Sequence, residues 1–198
     1  MPSHRIPGEI ALPDPTQSND VIAILKGLRQ SRRFLDTPVP EEIVDDLLEV
    51  ARWTGSSKNT QPWEFIVVDD PGTNQALSEA GAYTRFLANV AVTIVIVLDG
   101  NAPRSEAYDE GRVSERLMLA ASQYGLGSGT GWFSTPDTQD TVREILGIPL
   151  DRHVWSAVGF GYVDASAPQR ASTVGGGRKP LAGIVSYGRY GATKGDGR

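Results

Sequence analysis

The stretch Val90-Ala91-Val92-Thr93-Ile94-Val95-Ile96-Val97-Leu98 is the longest strongly apolar run of the chain, and it decides the fold. Residues 91–98 are apolar at nearly every position, a pattern that predicts a strand buried on both faces. A sheet that contains such a strand needs helices on both sides to cover it. The run is too short to cross a bilayer, so we interpret it as part of a protein core and not as a membrane span.

The segments around this run supply the other elements of a sheet covered by helices. Further strands are predicted at residues 64–68, 125–132 and 154–163. Helices are predicted from Asn19 or Asp20 to about residue 28, from Pro40 to about Trp53, and over residues 73–89, 105–124 and 136–146. Apolar residues recur at helical spacing as Val21, Ile24, Leu25 and Leu28, as Ile43, Leu47, Leu48 and Ala51, and as Val113, Leu117, Ala120 and Ala121.

The length of 198 residues favours one well-buried core. Residues 1–18 contain four prolines and no apolar period, and we predict that they form an extended N-terminal arm. The arm either wraps a partner subunit or has no fixed structure. Residues 19–198 are expected to form a single domain.

The composition excludes several kinds of chemistry. With no cysteine and two histidines, the chain cannot build a thiol nucleophile or a cysteine-ligated metal site, and it has little material for histidine acid–base catalysis. The net charge of −5 argues against a nucleic-acid partner. The N-terminus lacks the apolar region of a secretory signal, so we expect a cytoplasmic protein that is not bound to a membrane. Any chemistry should then come from a bound molecule, and no metal site is predicted.

A cluster of arginines, Arg29-Gln30-Ser31-Arg32-Arg33, follows the first predicted helix. Guanidinium groups bind phosphate oxygens through bidentate, charge-assisted hydrogen bonds, so this arginine turn can hold a local anion. The alternative is a solvated helix end, where cations interact favourably with the helix dipole. Taken alone, the cluster leaves both interpretations open.

Two further stretches have a ligand-binding and a structural interpretation. In Gly55-Ser56-Ser57-Lys58-Asn59-Thr60-Gln61-Pro62-Trp63, amides and backbone N–H groups could face the heteroatom edge of an isoalloxazine ring, or form an ordinary loop with Trp63 in the core. Residues 125–131 are rich in glycine but do not open a helix directly after a strand, so they are not a dinucleotide fingerprint. They form either a bare strand that a flat ligand approaches or a place of tight packing.

Taken in order, these stretches resemble the FMN-dependent nitroreductase family. The resemblance runs from about residue 20 to about residue 190. It rests on short motifs in the right order and spacing, namely Leu28-Arg29-Gln30-Ser31-Arg32-Arg33-Phe34, Pro38-Val39-Pro40, Ser56-Ser57-Lys58-Asn59-Thr60-Gln61-Pro62-Trp63-Glu64-Phe65, Gly125-Leu126-Gly127, Leu146-Gly147-Ile148-Pro149, Gly159-Phe160-Gly161-Tyr162 and Arg178-Lys179-Pro180-Leu181.

The resemblance implies an α+β flavoprotein with a mostly antiparallel central sheet covered by helices. It also implies an intertwined homodimer whose FMN sites are each made by both chains. One subunit would hold the ribityl phosphate and the pyrimidine edge through Arg29, Gln30, Ser31, Arg32, Arg33 and Arg178, and the other would contribute Ser56, Ser57 and Asn59. Thr130 and Gly131 fall where the family contacts flavin N5.

The chain departs from the family pattern at several positions. Leu28 and Gln30 stand where the family often has arginine and serine, and Gly55 replaces a common proline. Gly176 replaces a basic residue that sometimes precedes the last arginine, so Arg33 or Lys179 is expected to strengthen the phosphate contact.

The function implied by the resemblance is that of an NAD(P)H-dependent oxidoreductase. It would pass hydride through flavin N5 to a small electron-poor acceptor of nitroaromatic, quinone or enone type by a ping-pong mechanism. No catalytic side chain is predicted, because the flavin carries the redox chemistry. We predict that the substrate pocket is lined or covered by Tyr83, Arg85, Tyr108, Trp132 and Phe133.

Three alternatives remain at this point. One is a flavin-binding or flavin-storing protein without turnover of nicotinamide. Another is a specialised member of the family, such as a reductive dehalogenase or a flavin-fragmenting enzyme. The last is a protein of the same fold that binds no flavin.

Overall fold

A computed structural model of the protein describes residues 18–166 and 177–194. The chain divides into two compact units, with the boundary between Asp164 and Ala165. The predicted N-terminal arm lies outside the described residues except for Ser18, where the first helix begins. No helix in the described part of the chain is long and apolar enough to span a membrane.

The first unit alternates helices and strands. The helices are α1 (Ser18–Gly27), α2 (Glu41–Arg52), α3 (Pro71–Glu79), α4 (Pro103–Gln123) and α5 (Pro136–Leu146). The strands are β1 (Trp63–Val68), β2 (Val92–Leu98), β3 (Leu126–Trp132) and β4 (His153–Tyr162). Short 3-10 helices lie at Ser57–Asn59 and Arg85–Asn89, and the second unit contains another at Leu181–Gly183.

The strands form one sheet in the order β1-β2-β4-β3, and every neighbouring pair is antiparallel. Strand β2 is buried at each of its positions, as its apolar run predicts. The register between β2 and β4 shifts after Ile96, which pairs with Ser156, because Val97 pairs with Val154 and leaves Trp155 as an extra residue.

Each face of the sheet carries its own hydrophobic core. On one face, Ile94 and Ile96 of β2 pack with Leu47 of α2 and with Val113 and Leu117 of α4. On the other face, Val95 and Val97 pack with residues of α3, α5 and the 3-10 helix Arg85–Asn89. The alternation along β2 therefore directs successive side chains to the two layers of helices. The strand order leaves β1 and β3 as the edges of the sheet.

Two predicted features differ in the structure. Residues 73–89 do not form one helix, because α3 ends at Glu79 and the buried Thr84 hydroxyl closes a turn by accepting the Gly81 N–H at 3.1 Å. Helix α1 forms, but its apolar stripe is only partly covered: Leu28 packs on the core, whereas Val21 and Leu25 remain 57% and 47% exposed.

Helix α5 shows how closely local signals can fix an element. Thr135 caps its first turn by accepting the Thr138 N–H at 3.2 Å, and Pro136 occupies its first position. Gly147 ends the helix with a left-handed φ of 67°, a conformation that glycine adopts without steric strain. The observed bounds are those that the sequence predicts.

Candidate functional site

The arginine turn, residues 29–33, lies along the free edge of β3. The Ser31 N–H donates to the Ser128 carbonyl at 2.7 Å, and the Leu35 N–H donates to the Tyr162 carbonyl at 2.8 Å. The glycines of β3 make this close approach possible, because a Cβ on Gly129 would overlap the Arg32 guanidinium and lie 2.5 Å from the Ser31 carbonyl oxygen. At this position the structure favours tight packing over the bare-strand interpretation, with a segment of the same chain as the packing partner.

Arg32 ties the turn to β3. Its Nη2 donates to Gln30 Oε1 at 2.6 Å and to the Thr130 carbonyl at 3.2 Å, and its guanidinium stacks 4.3 Å from the centre of the Phe86 ring. Gln30 Oε1 also accepts the Thr130 N–H at 3.3 Å. Desolvation of the guanidinium in this packing lowers the pKa of Arg32 from its usual value. Arg32 therefore holds a positive charge at the base of the turn while most of its donors serve the fold.

Arg29 and Arg33 are the cations that remain open to an anion. One nitrogen of Arg29 donates to the carbonyls of Lys26 at 2.8 Å and Leu28 at 2.7 Å, so the helix-end interpretation is also realised here. Its other donors, and the whole Arg33 guanidinium, have no partner among the described residues. The turn therefore combines one guanidinium fixed by hydrogen bonds, Arg32, with two whose donors are largely free, Arg29 and Arg33.

Thr130 lies at the centre of this edge. Its N–H and its carbonyl both face the arginine turn, and the alternation of an antiparallel ladder then directs the backbone groups of Gly131 toward β4. Its hydroxyl has only a long contact of 3.5 Å with Gln30 Nε2 and a contact of 3.8 Å with Met118 Sδ. The N–H and carbonyl of Thr130 are taken by Gln30 and Arg32, so of the two residues predicted to contact flavin N5 only Thr130 offers an available polar group, its hydroxyl.

The polar loop, residues 55–61, has a strained backbone. Lys58, Asn59 and Gln61 adopt positive φ values of 52°, 56° and 48°, a left-handed conformation that is uncommon for residues other than glycine. Each such residue costs on the order of 1 kcal/mol or more, and they cluster at binding sites where the surrounding structure holds them. The side chains of Ser57 and Asn59 are exposed and make no hydrogen bond within the described part of the chain, so their polar atoms are free for a ligand.

Asp109 of α4 fixes this loop from below. Its side chain is buried, one carboxylate oxygen accepts the Ser57 N–H at 3.0 Å, and the other accepts from Arg112 at 3.3 Å. Ser56 closes the far end of the loop by accepting the Gln61 N–H at 2.8 Å. A Cβ on Gly55 would lie 2.9 Å from the Arg112 guanidinium, so glycine at this position leaves room for that side chain.

Sequence reasoning did not single out Asp109 or Arg112, although a signal was present. Glu106, Asp109 and Glu110 fall on the helical face that also carries Val113 and Leu117, and all three carboxyl groups are buried. Acids on the inward face of a helix are expected to have specific partners.

The other two acids have structural partners. Glu106 accepts the N–H groups of Gly100 at 3.1 Å and Ala102 at 2.6 Å, at the start of α4. Glu110 accepts the Ser156 hydroxyl at 2.6 Å, and burial raises the pKa of its carboxyl to about 7.

The arginine turn and the polar loop lie at opposite edges of the sheet. The turn packs on β3, whereas the loop leads into β1, and β2 and β4 separate these strands. Three strand spacings correspond to a separation on the order of 14 Å. Along the sheet, a single chain therefore does not bring the two groups of predicted binding residues together.

The residues predicted to line the substrate pocket have different surroundings. Tyr108 lines a cavity of about 710 Å³ together with Ser56 and Ser57, whereas Tyr83, Arg85 and Trp132 are exposed and do not line it. The prediction that Phe133 lines the pocket is wrong, because this side chain is fully buried in the core beside α5 and cannot face a ligand.

Arg178 is exposed in the second unit, shortly before the 3-10 helix Leu181–Gly183. The described residues contain no group of His, Asp or Glu side chains that could hold a metal ion.

Comparison with known proteins places this fold in a class of flavoenzymes. The solved structure of an FMN-dependent nitroreductase from Clostridium difficile is 26% identical and superposes with a TM-score of 0.73, covering 85% of this chain and 99% of the other. The NADPH:FMN oxidoreductase of Vibrio harveyi, solved with NAD+, is 19% identical and shares the fold with a TM-score of 0.75 over 89% of this chain and 80% of its own.

Sequence comparison gives the same result. The family model for the nitroreductase family matches residues 25–81, which contain the arginine turn and the polar loop. A protein of Archaeoglobus fulgidus, provisionally named an NADH dehydrogenase/NAD(P)H nitroreductase, is 32% identical over 142 residues, or 68% of this chain and 80% of the relative. The chain belongs to the nitroreductase family, and the α+β fold expected from the resemblance is confirmed.

Proposed function

We propose that the protein is an NAD(P)H-dependent FMN oxidoreductase that reduces a small electron-poor organic acceptor, of nitroaromatic, quinone or enone type. The observation that carries this proposal is the strained loop 55–61, which exposes Ser57 and Asn59 and is anchored at the Ser57 N–H by the buried Asp109. Strain that a buried carboxylate maintains, next to polar atoms without partners, is typical of a preorganised ligand contact.

The donors of the chain fit the two polar ends of FMN. The exposed guanidinium groups of Arg29 and Arg33 suit the phosphate, which is an anion with several acceptor oxygens. Ser56, Ser57 and Asn59 suit the alternating donors and acceptors of the pyrimidine edge. The hydroxyl of Thr130 lies on the sheet edge beside the turn, where it suits the central ring.

FMN held by these residues would supply the hydride-transfer chemistry between NAD(P)H and the acceptor. The chain contributes orientation and a fixed electrostatic field. Arg32 keeps its positive charge beside Thr130, and this charge favours electron density that develops on a nearby ligand. No side chain of the arginine turn or the polar loop needs to act as an acid or a base.

We propose further that the working unit is a homodimer. The turn and the loop lie at opposite edges of one sheet, so a second copy of the chain would bring a loop to each turn. The apolar side chains of α1 that remain exposed, including Val21 and Leu25, offer surface for such an association. On the resemblance alone, Arg178 stays a predicted contact of the phosphate.

Rapid mixing of the purified flavoprotein with NADH or NADPH, without oxygen, tests the proposed function. We expect bleaching of the flavin absorbance by at least one nicotinamide, much faster than for free FMN at the same concentration. Reduction no faster than that of free FMN by either nicotinamide would overturn the oxidoreductase and indicate a storage protein. A colourless protein that does not take up added FMN would overturn the flavin assignment itself.

A further inference from the structure

The cavity of about 710 Å³ beside the polar loop has a chemical character of its own. Ser56 and Ser57 form one side, and the first turns of α4 form the other, with Arg104, Tyr108 and Arg112 among the lining residues. The serines are also the residues proposed above to meet the flavin edge. A molecule in this cavity would therefore lie next to the flavin, and the inference rests on the proposed function in that respect.

The cavity is positively charged in an otherwise acidic chain. Arg112 is 41% exposed along its side chain and is paired with the buried Asp109 at 3.3 Å, so its single positive charge is offset. Arg104 is exposed and has no ion pair or hydrogen bond among the described residues. Two guanidinium groups and one carboxylate leave about one net positive charge, and a cleft of one sign concentrates ligands of the opposite sign.

Apolar surface lies directly beside these charges. The Tyr108 ring is exposed, and Ala102 and Pro103 continue the wall at the start of α4. A flat apolar wall beside a free guanidinium is complementary to a ring that carries an anionic oxygen group.

We propose that this cavity binds the anionic group of a molecule that exchanges hydride with the flavin, and that Arg104 supplies the main contact. A carboxylate on an aromatic acceptor and the additional phosphate of NADPH share this chemistry. Arg112 would add a second contact while it stays anchored to Asp109.

Matched pairs of small molecules, with and without the anionic group, show whether that group belongs to the acceptor or to the nicotinamide. Steady-state kinetics are measured with 4-nitrobenzoate against the neutral 4-nitrobenzamide, and with NADPH against NADH. The variant is Arg104→Gln, and the control is Arg116→Gln, because Arg116 lies on the same helix but donates to the Trp53 carbonyl at 3.0 Å and does not line the cavity.

If the anion belongs to the acceptor, we expect Arg104→Gln to raise KM about tenfold for 4-nitrobenzoate alone, the usual effect of losing one charge-assisted hydrogen bond. If it belongs to the nicotinamide, the same rise appears for NADPH alone. Either selective rise supports the proposal when Arg116→Gln leaves unchanged both the KM ratio of 4-nitrobenzoate to 4-nitrobenzamide and the KM ratio of NADPH to NADH. Unchanged ratios in Arg104→Gln, or an equal rise for charged and neutral molecules, would overturn it.

Calorimetric titration of the oxidised protein with 4-hydroxybenzoate gives a readout without turnover. We expect binding that weakens about tenfold in Arg104→Gln and stays at the wild-type level in Arg116→Gln. Arginine-dependent binding in a protein that no nicotinamide reduces would mean that the proposed function fails while the anion site stands. Rapid flavin reduction with no binding of 4-hydroxybenzoate and no selective rise in KM in Arg104→Gln would give the opposite result, a working oxidoreductase that lacks this site.

Discussion

At the scale of single residues, Asp109 connects the core to the candidate site. Its carboxylate is buried under the polar loop and accepts the Ser57 N–H, so it holds a backbone segment that is strained at Lys58, Asn59 and Gln61. The flavin contacts proposed for this loop therefore depend on a residue that itself makes none of them. Such a supporting residue is found by its burial and its partners and not by a motif.

We predict that Asp109→Asn weakens FMN binding about tenfold, since a hydrogen bond to a charged acceptor contributes roughly 1.5 kcal/mol or more. The matched control is Asp140→Asn, which removes an exposed carboxylate that pairs with Arg143 at 2.7 Å on α5. Fluorescence titration of the flavin-free proteins gives the affinities. Equal affinity in wild type and Asp109→Asn would show that the loop does not need this anchor.

Glu110 is a second buried acid, and the burial of its carboxyl makes the stability of the protein depend on pH. Burial raises the pKa of its carboxyl from 4.5 to about 7, so between these values the folded state binds more protons than the unfolded state. Its contribution to stability is present at low pH and is lost as the pH rises to about 7. The full effect corresponds to about 3 kcal/mol.

Glu110→Gln should remove this dependence because glutamine does not ionise. Urea unfolding at pH 5 and pH 8 provides the measurement, and we expect the variant to gain stability relative to wild type at pH 8 but not at pH 5. A constant difference between the two proteins at both pH values would contradict the assignment of the raised pKa to Glu110.

At the scale of elements, the arginine turn packs directly on strand β3. The turn lies against the glycines of the strand, where a side chain would collide with Ser31 and Arg32. The glycine-rich strand is thus a packing surface for a segment of the same chain, and the position of the arginines depends on it.

We predict that Gly129→Ala displaces the turn, lowers the free energy of unfolding by about 1–3 kcal/mol, and weakens FMN binding. Gly111→Ala is the control, because a Cβ at this position of α4 would meet no heavy atom within 4 Å and alanine favours the helix. Thermal unfolding and flavin titration of both variants provide the test. A Gly129→Ala protein as stable as wild type would mean that the turn does not pack as described.

The elements also show how far sequence patterns reach. The apolar run of β2, the capped helix α5 and the inward stripe of α4 follow from local periodicity, and the structure confirms them. The break between α3 and the 3-10 helix Arg85–Asn89 depends on the buried Thr84 hydroxyl, and the support of the loop by Asp109 joins residues that are 52 positions apart. The Thr84 contact spans only three positions but depends on the burial of its hydroxyl, and the Asp109 contact depends on how α4 packs under the loop, so neither partner follows from local periodicity.

At the scale of the whole molecule, the two groups of proposed binding residues lie at opposite edges of one sheet. The arginine turn and the polar loop flank four strands, and Val21 and Leu25 of α1 form an exposed apolar surface. A homodimer would bring complementary halves together and would bury that surface.

We predict that Leu25→Glu disrupts the dimer, because it places a charge in the apolar surface of α1. Lys26→Glu is the control, since it changes the charge of the neighbouring position outside the apolar stripe. Light scattering of the two variants measures the mass. A dimeric Leu25→Glu protein would exclude α1 from the interface.

The most direct measurement of the central claim is complementation between two defective chains. One chain carries Arg29→Ala and Arg33→Ala, the other carries Ser57→Trp, and they are produced separately and together. If each FMN site combines a turn from one copy with a loop from the other, each variant alone retains almost no FMN. The coproduced protein should then regain about one quarter of the wild-type flavin content, because random pairing gives half heterodimers with one intact site each. A coproduced protein as empty as its parents would contradict the shared site.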